Sequence, residues 1–210
     1  MKNIIAVSCC IVLSLLSLHS FAQGAKAGKT IKTSDKNMYI DVHHFEPGTV
    51  TFKAAAEAHA KDLATQDKFG VEFRRFWVDE QKGLVYCLST SKDTQSINRT
   101  HAAAHGLMPS EFYNVSDGDE SASDGGKDFY LDIHELGAGK VKAADVAGAH
   151  KKDLETQGKY GVNFINYWVD EKAGVVMCLS QAKDTASIIK THQEAHGLLP
   201  TAILKVQQGK

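Results

Sequence analysis

The chain of 210 residues carries 24 Lys and Arg against 25 Asp and Glu, a formal net charge of −1. A balance so close to neutral leaves no electrostatic footprint for nucleic acid or for an anionic membrane surface. With 43% hydrophobic and 23% charged residues, the composition is that of an ordinary globular protein, and the length admits one large domain or two small ones.

Residues 1–22 read as a secretory signal peptide: Lys2 is a short positive region, Ile4 to Leu18 an apolar run, and Ser20-Phe21-Ala22 a small-x-small cleavage site. The run is too short to span a bilayer comfortably, so a periplasmic or secreted protein with no membrane partner is expected. Residues 23–37 are polar, lack periodicity and read as a disordered N-terminal segment. Beyond them only Cys87 and Cys178 remain, too few for a disulfide framework. Both sit mid-strand between apolar neighbours and read first as buried thiols, second as metal ligands and third as a mutual disulfide.

From residue 38 onward the chain is written twice. Tyr39-x-Asp41-x-His43 returns as Tyr130-x-Asp132-x-His134, "FWVDE" at 76–80 as "YWVDE" at 167–171, and "CLS" at 87–89 as "CLS" at 178–180. Each pair is offset by 91 positions, and about half of the paired residues are identical. Such a fixed period marks two copies of one unit, here residues 38–115 and 129–206. Between them, residues 116–128 are rich in Gly, Ser and Asp and read as a flexible linker; residues 207–210 read as a C-terminal tail.

Each unit reads β-α-β-β-α-β. "YIDVHHF" alternates as a strand does. Gly48-Thr49 offers an N-cap for an Ala-rich helix ending near Gln66, and "VEFRRFWV" and "LVYCLS" form a hairpin turning at Gly83. Asp93 caps a second helix, Gly106 stops it, and a last strand runs to Val115. This order is that of a ferredoxin-like α+β sandwich, which leaves one sheet face bare. Ile40 and Val42 point one way along the first strand while Tyr39, Asp41 and His43 point the other. The second, polar set is assigned to the interface between sheets. The two repeats are therefore expected to pack sheet to sheet as an internal pseudo-dimer of the α+β barrel type, a monomer in solution.

The chemistry rests on histidine. His101 and His105 lie one turn apart on one helix face, as do His192 and His196, a spacing that lets two imidazoles share one ion. A helix C-terminus also favours His through its dipole alone. His59, Asp62 and Gln66 share a face of the first helix, with copies at His150, Asp153 and Gln157; a carboxylate there could orient an imidazole as ligand or general base. His43 and His134 complete the recurring set. The hairpin and strand ends place His43, His44, Asp79, Glu80, His101 and His105 at one rim, with His43 expected on the sheet face away from the helix. No Walker loop, dinucleotide fingerprint or nucleophile elbow occurs.

"YIDVHHFEPGTV", "AHAKDL", "FWVDEQKGLVYCLS" and "THAAAHGLMP" together resemble the domain-of-unknown-function 4242 family, small nickel-binding proteins of ferredoxin-like fold that pair as homodimers. The resemblance covers both repeats; the second departs at "HELGAGKV", where His44 gives way to Glu135. It implies a metal-binding protein whose ion is nickel. His-rich donor sets suit Zn and Cu as well, with Cu(II) the stronger competitor. The expected ligands are His43, His59, His101, His105, His134, His150, His192 and His196. The expected function is sequestration or buffering of the ion outside the cytoplasm. Two alternatives stand beside it: an α+β-barrel enzyme using His59 and Asp62 as an acid–base pair, and a binding module for a small organic ligand.

Overall fold

The computed structural model describes residues 36–118 and 120–210. The expected signal peptide and nearly all of the expected N-terminal segment lie outside the described residues. Repeat 1 comprises β1 (Asn37–His44), α1 (Phe52–Thr65), β2 (Glu72–Asp79), β3 (Leu84–Ser91), α2 (Thr94–Ala104) and β4 (Glu111–Asp117). Repeat 2 comprises β5 (Asp128–Glu135), α3 (Ala143–Tyr160), β6 (Asn163–Asp170), β7 (Val175–Ala182), α4 (Thr185–Ala195) and β8 (Ala202–Gly209).

Local chemistry sets the helix ends. Asp93 and Asp184 cap α2 and α4 by accepting the backbone N–H groups of Ser96 and Ser187. Gly106 and Gly197, both at φ 78°, end those helices. The cap of α1 is Thr51, which accepts the N–H of Ala54. Thr49, in the dipeptide expected to cap this helix, instead closes a turn on the carbonyl of Glu46.

The strands form a closed barrel in the order β1-β3-β2-β8-β5-β7-β6-β4. Within each repeat the antiparallel order is ferredoxin-like, and the two sheets join edge to edge. The fold is therefore α+β: two ferredoxin-like repeats closed as an internal pseudo-dimer of the α+β barrel type. The two seams pair Val78, Trp77 and Phe76 with Gln207, Gln208 and Gly209, and Val169 and Trp168 with Ser116 and Asp117. These closing residues fall in the segments expected as tail and linker. Strand length here follows the presence of a partner edge, which closure supplies and a single repeat cannot. The connection between β4 and β5 also bonds to repeat 2, through Ser121 N–H to the Ile165 carbonyl and Asp124 N–H to Gln181 Oε1.

The barrel interior reverses the expected facing of β1. Ile40 and Val42 point inward and pack with Leu131 around Trp77 and Trp168, whose rings lie 4.9 Å apart. Tyr39, Asp41 and His43 lie on the opposite face, beneath the helices. A lining shut off from water must be apolar. The buried polar residues of the strand consequently sit where helix side chains supply partners.

A register shift between Phe73 and Arg75 on β2 recurs between Phe164 and Asn166 on β6. The extra residue resets the alternation, so that Phe73 and Phe76 both face the helix side. Among the described residues no helix is long and apolar enough to cross a membrane.

Candidate metal centre and pocket

The polar face of β1 meets the inner faces of α1 and α2. Asp62 on α1 receives His101 of α2 and His105, which follows that helix: its Oδ1 lies 3.0 Å from His101 Nδ1 and its Oδ2 lies 3.1 Å from His105 Nε2. The two imidazole nitrogens are themselves 3.2 Å apart. On its far side His101 Nε2 lies 3.4 Å from Asp41 Oδ1, to which His43 Nε2 also approaches at 3.1 Å. His101 is thus held between two carboxylates, and it is buried. Cys87, opposite Asp41 in the β1–β3 register, adjoins His43 and Asp41.

Electrostatics follow from this arrangement. Burial disfavours the His101 charge, but the carboxylates of Asp41 and Asp62 against its two nitrogens outweigh it and push the pKa up to about 9; His192 is pushed up to about 10 by Asp132 and Asp153. Burial would likewise raise the carboxyls of Asp41 and Asp62. Their histidine partners more than offset it and hold both below the ordinary value. Burial drives His59 the other way, below the usual histidine value. The Cys87 and Cys178 thiols are free, buried and, chiefly through burial, pushed well up.

One backbone contact defines the resting tautomer. The Leu107 N–H donates to His105 Nδ1 at 3.1 Å, and Leu198 does the same to His196. With Nδ1 occupied as an acceptor, the ring proton of neutral His105 sits on Nε2 and faces Asp62.

Repeat 2 rebuilds the same cluster. Asp153 lies 3.0 Å from His192 Nδ1 through Oδ1 and 3.2 Å from His196 Nε2 through Oδ2, and those nitrogens are 3.2 Å apart. His134 Nε2 contacts Asp132 Oδ1 at 3.0 Å.

Six of the eight expected ligands therefore lie in these two clusters: His43, His101 and His105, and His134, His192 and His196. The other two, His59 and His150, line a pocket beside each cluster. The expected separation of His43 from the helix is overturned, because β1 presents its polar face to α1 and α2. The remaining rim residues stay apart. Asp79 accepts the Lys82 N–H in the hairpin turn, Glu80 accepts the Phe52 N–H at the start of α1, and His44 pairs with Glu111 at the surface. Gln66 accepts the Phe73 N–H. Asp62 bonds His101 and His105, not His59, so the acid–base pair drawn from helix spacing is not formed by hydrogen bonding.

Phe73 and Phe76 are site neighbours that no sequence motif singles out. They flank His59 at ring separations of 6.1 and 4.8 Å, and Phe73 lies 5.0 Å from His101. The repeat of the "F-x-x-F" and "F-x-x-Y" spacing was visible; the bulge that puts both rings on one face was not.

Fold and site together define a tandem α+β barrel with a buried His/Asp cluster under each helix pair. The chain belongs to the family described as nickel responsive protein SCO4226-like, whose model matches residues 39–115 and 130–206. Among solved structures it is similar to SCO4226 of Streptomyces coelicolor A3(2), at 31% identity over 37% of this chain and 93% of that one, with a TM-score of 0.35. It is also similar to a putative monooxygenase of Fusobacterium nucleatum, at 14% identity over 83% of this chain and 93% of that one, with a TM-score of 0.41. A chlorite dismutase variant of Candidatus Nitrospira defluvii aligns at 6% identity over 84% of this chain and 93% of that one, with a TM-score of 0.46. No curated protein matches.

Proposed function

We propose that Asp62, His101 and His105, and their copies Asp153, His192 and His196, are two divalent transition-metal sites. On this reading the protein binds nickel and sequesters or buffers it in the periplasm or outside the cell. The observation that carries the reading is the convergence of one carboxylate and two imidazole nitrogens at mutual distances of 3.0 to 3.2 Å, on residues brought from two helices. Bonds of about 2.1 Å to a common ion hold neighbouring ligand atoms about 3.0 to 3.4 Å apart; the two imidazole nitrogens, 3.2 Å apart, have that spacing, and each lies against one oxygen of Asp62.

The donor set is also right in kind. Two nitrogens and a carboxylate oxygen suit Ni, Zn and Cu, with Cu(II) favoured on affinity alone. Asp41, whose Oδ1 lies 3.4 Å from the other nitrogen of His101, stands where the outer partner of a ligating imidazole would. A bound ion would supply neutralisation of the two carboxylates. His101 and His105 would each have to surrender the proton now directed at Asp62, and His105 would give up its bond from Leu107. His43 and His134, with Asp41, Asp132 and the two cysteines, adjoin the triads as outer groups.

Nickel titration of untagged protein by calorimetry, with metal analysis of the product, tests the proposal. Two ions per chain are expected, falling to one in His101→Ala/His105→Ala. Unchanged stoichiometry and affinity in that variant would remove these histidines from the metal site. Secretion is tested by fractionating cells that express the full chain.

A further inference from the structure

The two halves repeat their clustered histidines but not the space beside them. Between α1 and the sheet, repeat 1 opens a pocket of about 160 Å³, whereas its counterpart in repeat 2 measures about 70 Å³. The linings differ where Ala54 and Ala55 of α1 are replaced by Asp145 and Val146 of α3. Both replacements put larger side chains into the gap.

One side of the larger pocket is apolar, with Val50, Ala55, Phe76 and Val85, and the other is the polar cluster of His43, Asp62, His101 and His105. Gly83 lets the chain carrying Phe45 close over one side, because a side chain at this position would collide with the carbonyl of Phe45. His59 lines this space, 3% exposed, with both ring nitrogens buried and neither hydrogen-bonded within the described structure. A buried polar ring left this way is costly, and a ligand that bonds it removes the cost. The size is informative too, since an apolar protein cavity of about 150 Å³ accommodates benzene. Asp62, also in the lining, and nearby Asp41 are two carboxylates around the one imidazole of His101, an excess that opposes a ligand carrying negative charge.

We propose that repeat 1 binds a neutral single-ring molecule bearing a hydroxyl group, with the ring against Val50, Ala55 and Phe76 and the hydroxyl bonded to His59, and that repeat 2 does not. The site needs no metal ion, although Asp62, His101 and His105 line it as well as forming the metal centre proposed above.

Phenol is the probe, titrated into the full chain in the presence of a chelator and followed by calorimetry and by NMR. One equivalent should bind, at least tenfold more tightly than benzene or benzoate. His59→Phe should abolish the preference for phenol over benzene. Ala55→Val, which copies the crowding of repeat 2, should weaken phenol binding at least tenfold. Val146→Ala, which enlarges the second pocket, should raise the stoichiometry above one, and it reads the same question if Ala55→Val fails to fold. The proposal is overturned by no binding, by two equal sites in the wild type, by tighter benzoate than phenol, or by variants that leave affinity and stoichiometry unchanged. Loss of nickel binding with phenol binding intact would count against the metal reading alone.

Discussion

His43 of β1 and His101 of α2 meet edge to face, with ring centroids 5.0 Å apart, and both approach the same Oδ1 of Asp41. A strand and a helix separated by half a repeat thus complete one buried polar cluster. The same relationship recurs between His134 and His192, whose centroids lie 5.1 Å apart. The clusters tie the helices to the barrel through charge as well as through apolar packing, and this governs the response to pH, metal and mutation.

Metal affinity should rise with pH well above the ordinary histidine range. His101 and His192, pushed up to about 9 and about 10, carry protons at neutral pH that a metal must displace. Titrating nickel between pH 6 and 9 in buffers of different ionisation enthalpy should show proton release and steadily increasing affinity. An affinity that levels off just above pH 6.5 would contradict the raised values.

The metal-free protein should respond in the opposite sense. A histidine whose folded pKa is raised contributes stability that is complete below its unfolded value of about 6.5. That contribution is lost as pH climbs toward the folded values of about 9 and about 10. The lowered carboxyls of Asp41 and Asp62 contribute stability present above about pH 3.8 and lost in acid. Thermal unfolding with chelator should therefore show falling Tm from pH 6.5 to 9, and saturating nickel should reverse that trend.

Asp62→Asn keeps the shape of the side chain but sets an amide N–H₂ against one of the two imidazole N–H groups. Removing one partner from a buried charged pair costs on the order of 3 kcal/mol. Nickel stoichiometry should drop from two to one, with the repeat 2 site unaffected. Chemical denaturation and calorimetry read the two effects separately.

Deleting residues 207–210 should open the barrel. It removes the β2–β8 pairing and the bond from Trp77 Nε1 to Gln208 Oε1, 2.9 Å long. An unpaired β2 edge is also a template for association. A lowered Tm and a concentration-dependent oligomer in light scattering are expected; an unaltered monomer would show the seam to be dispensable.

The sequence by itself determined the repeat, its β-α-β-β-α-β order, the caps at Asp93 and Asp184, the stops at Gly106 and Gly197, and the pairing of histidines at the ends of α2 and α4. These are local signals, each written within one helix turn or one strand, or copied at a fixed offset. Tertiary structure alone decided which face of β1 is inside, because alternation distinguishes two faces but does not say whether barrel or helices will cover each. It also decided that Ser116, Asp117 and Gln207 to Gly209 are strand, since they pair only when the other repeat offers an edge. The bulge that turns both Phe73 and Phe76 toward His59 depends on pairing in the same way. Asp41, Asp62 and His101 meet across three elements, and their pKa shifts arise from burial and proximity, neither of which exists until the chain has closed on itself.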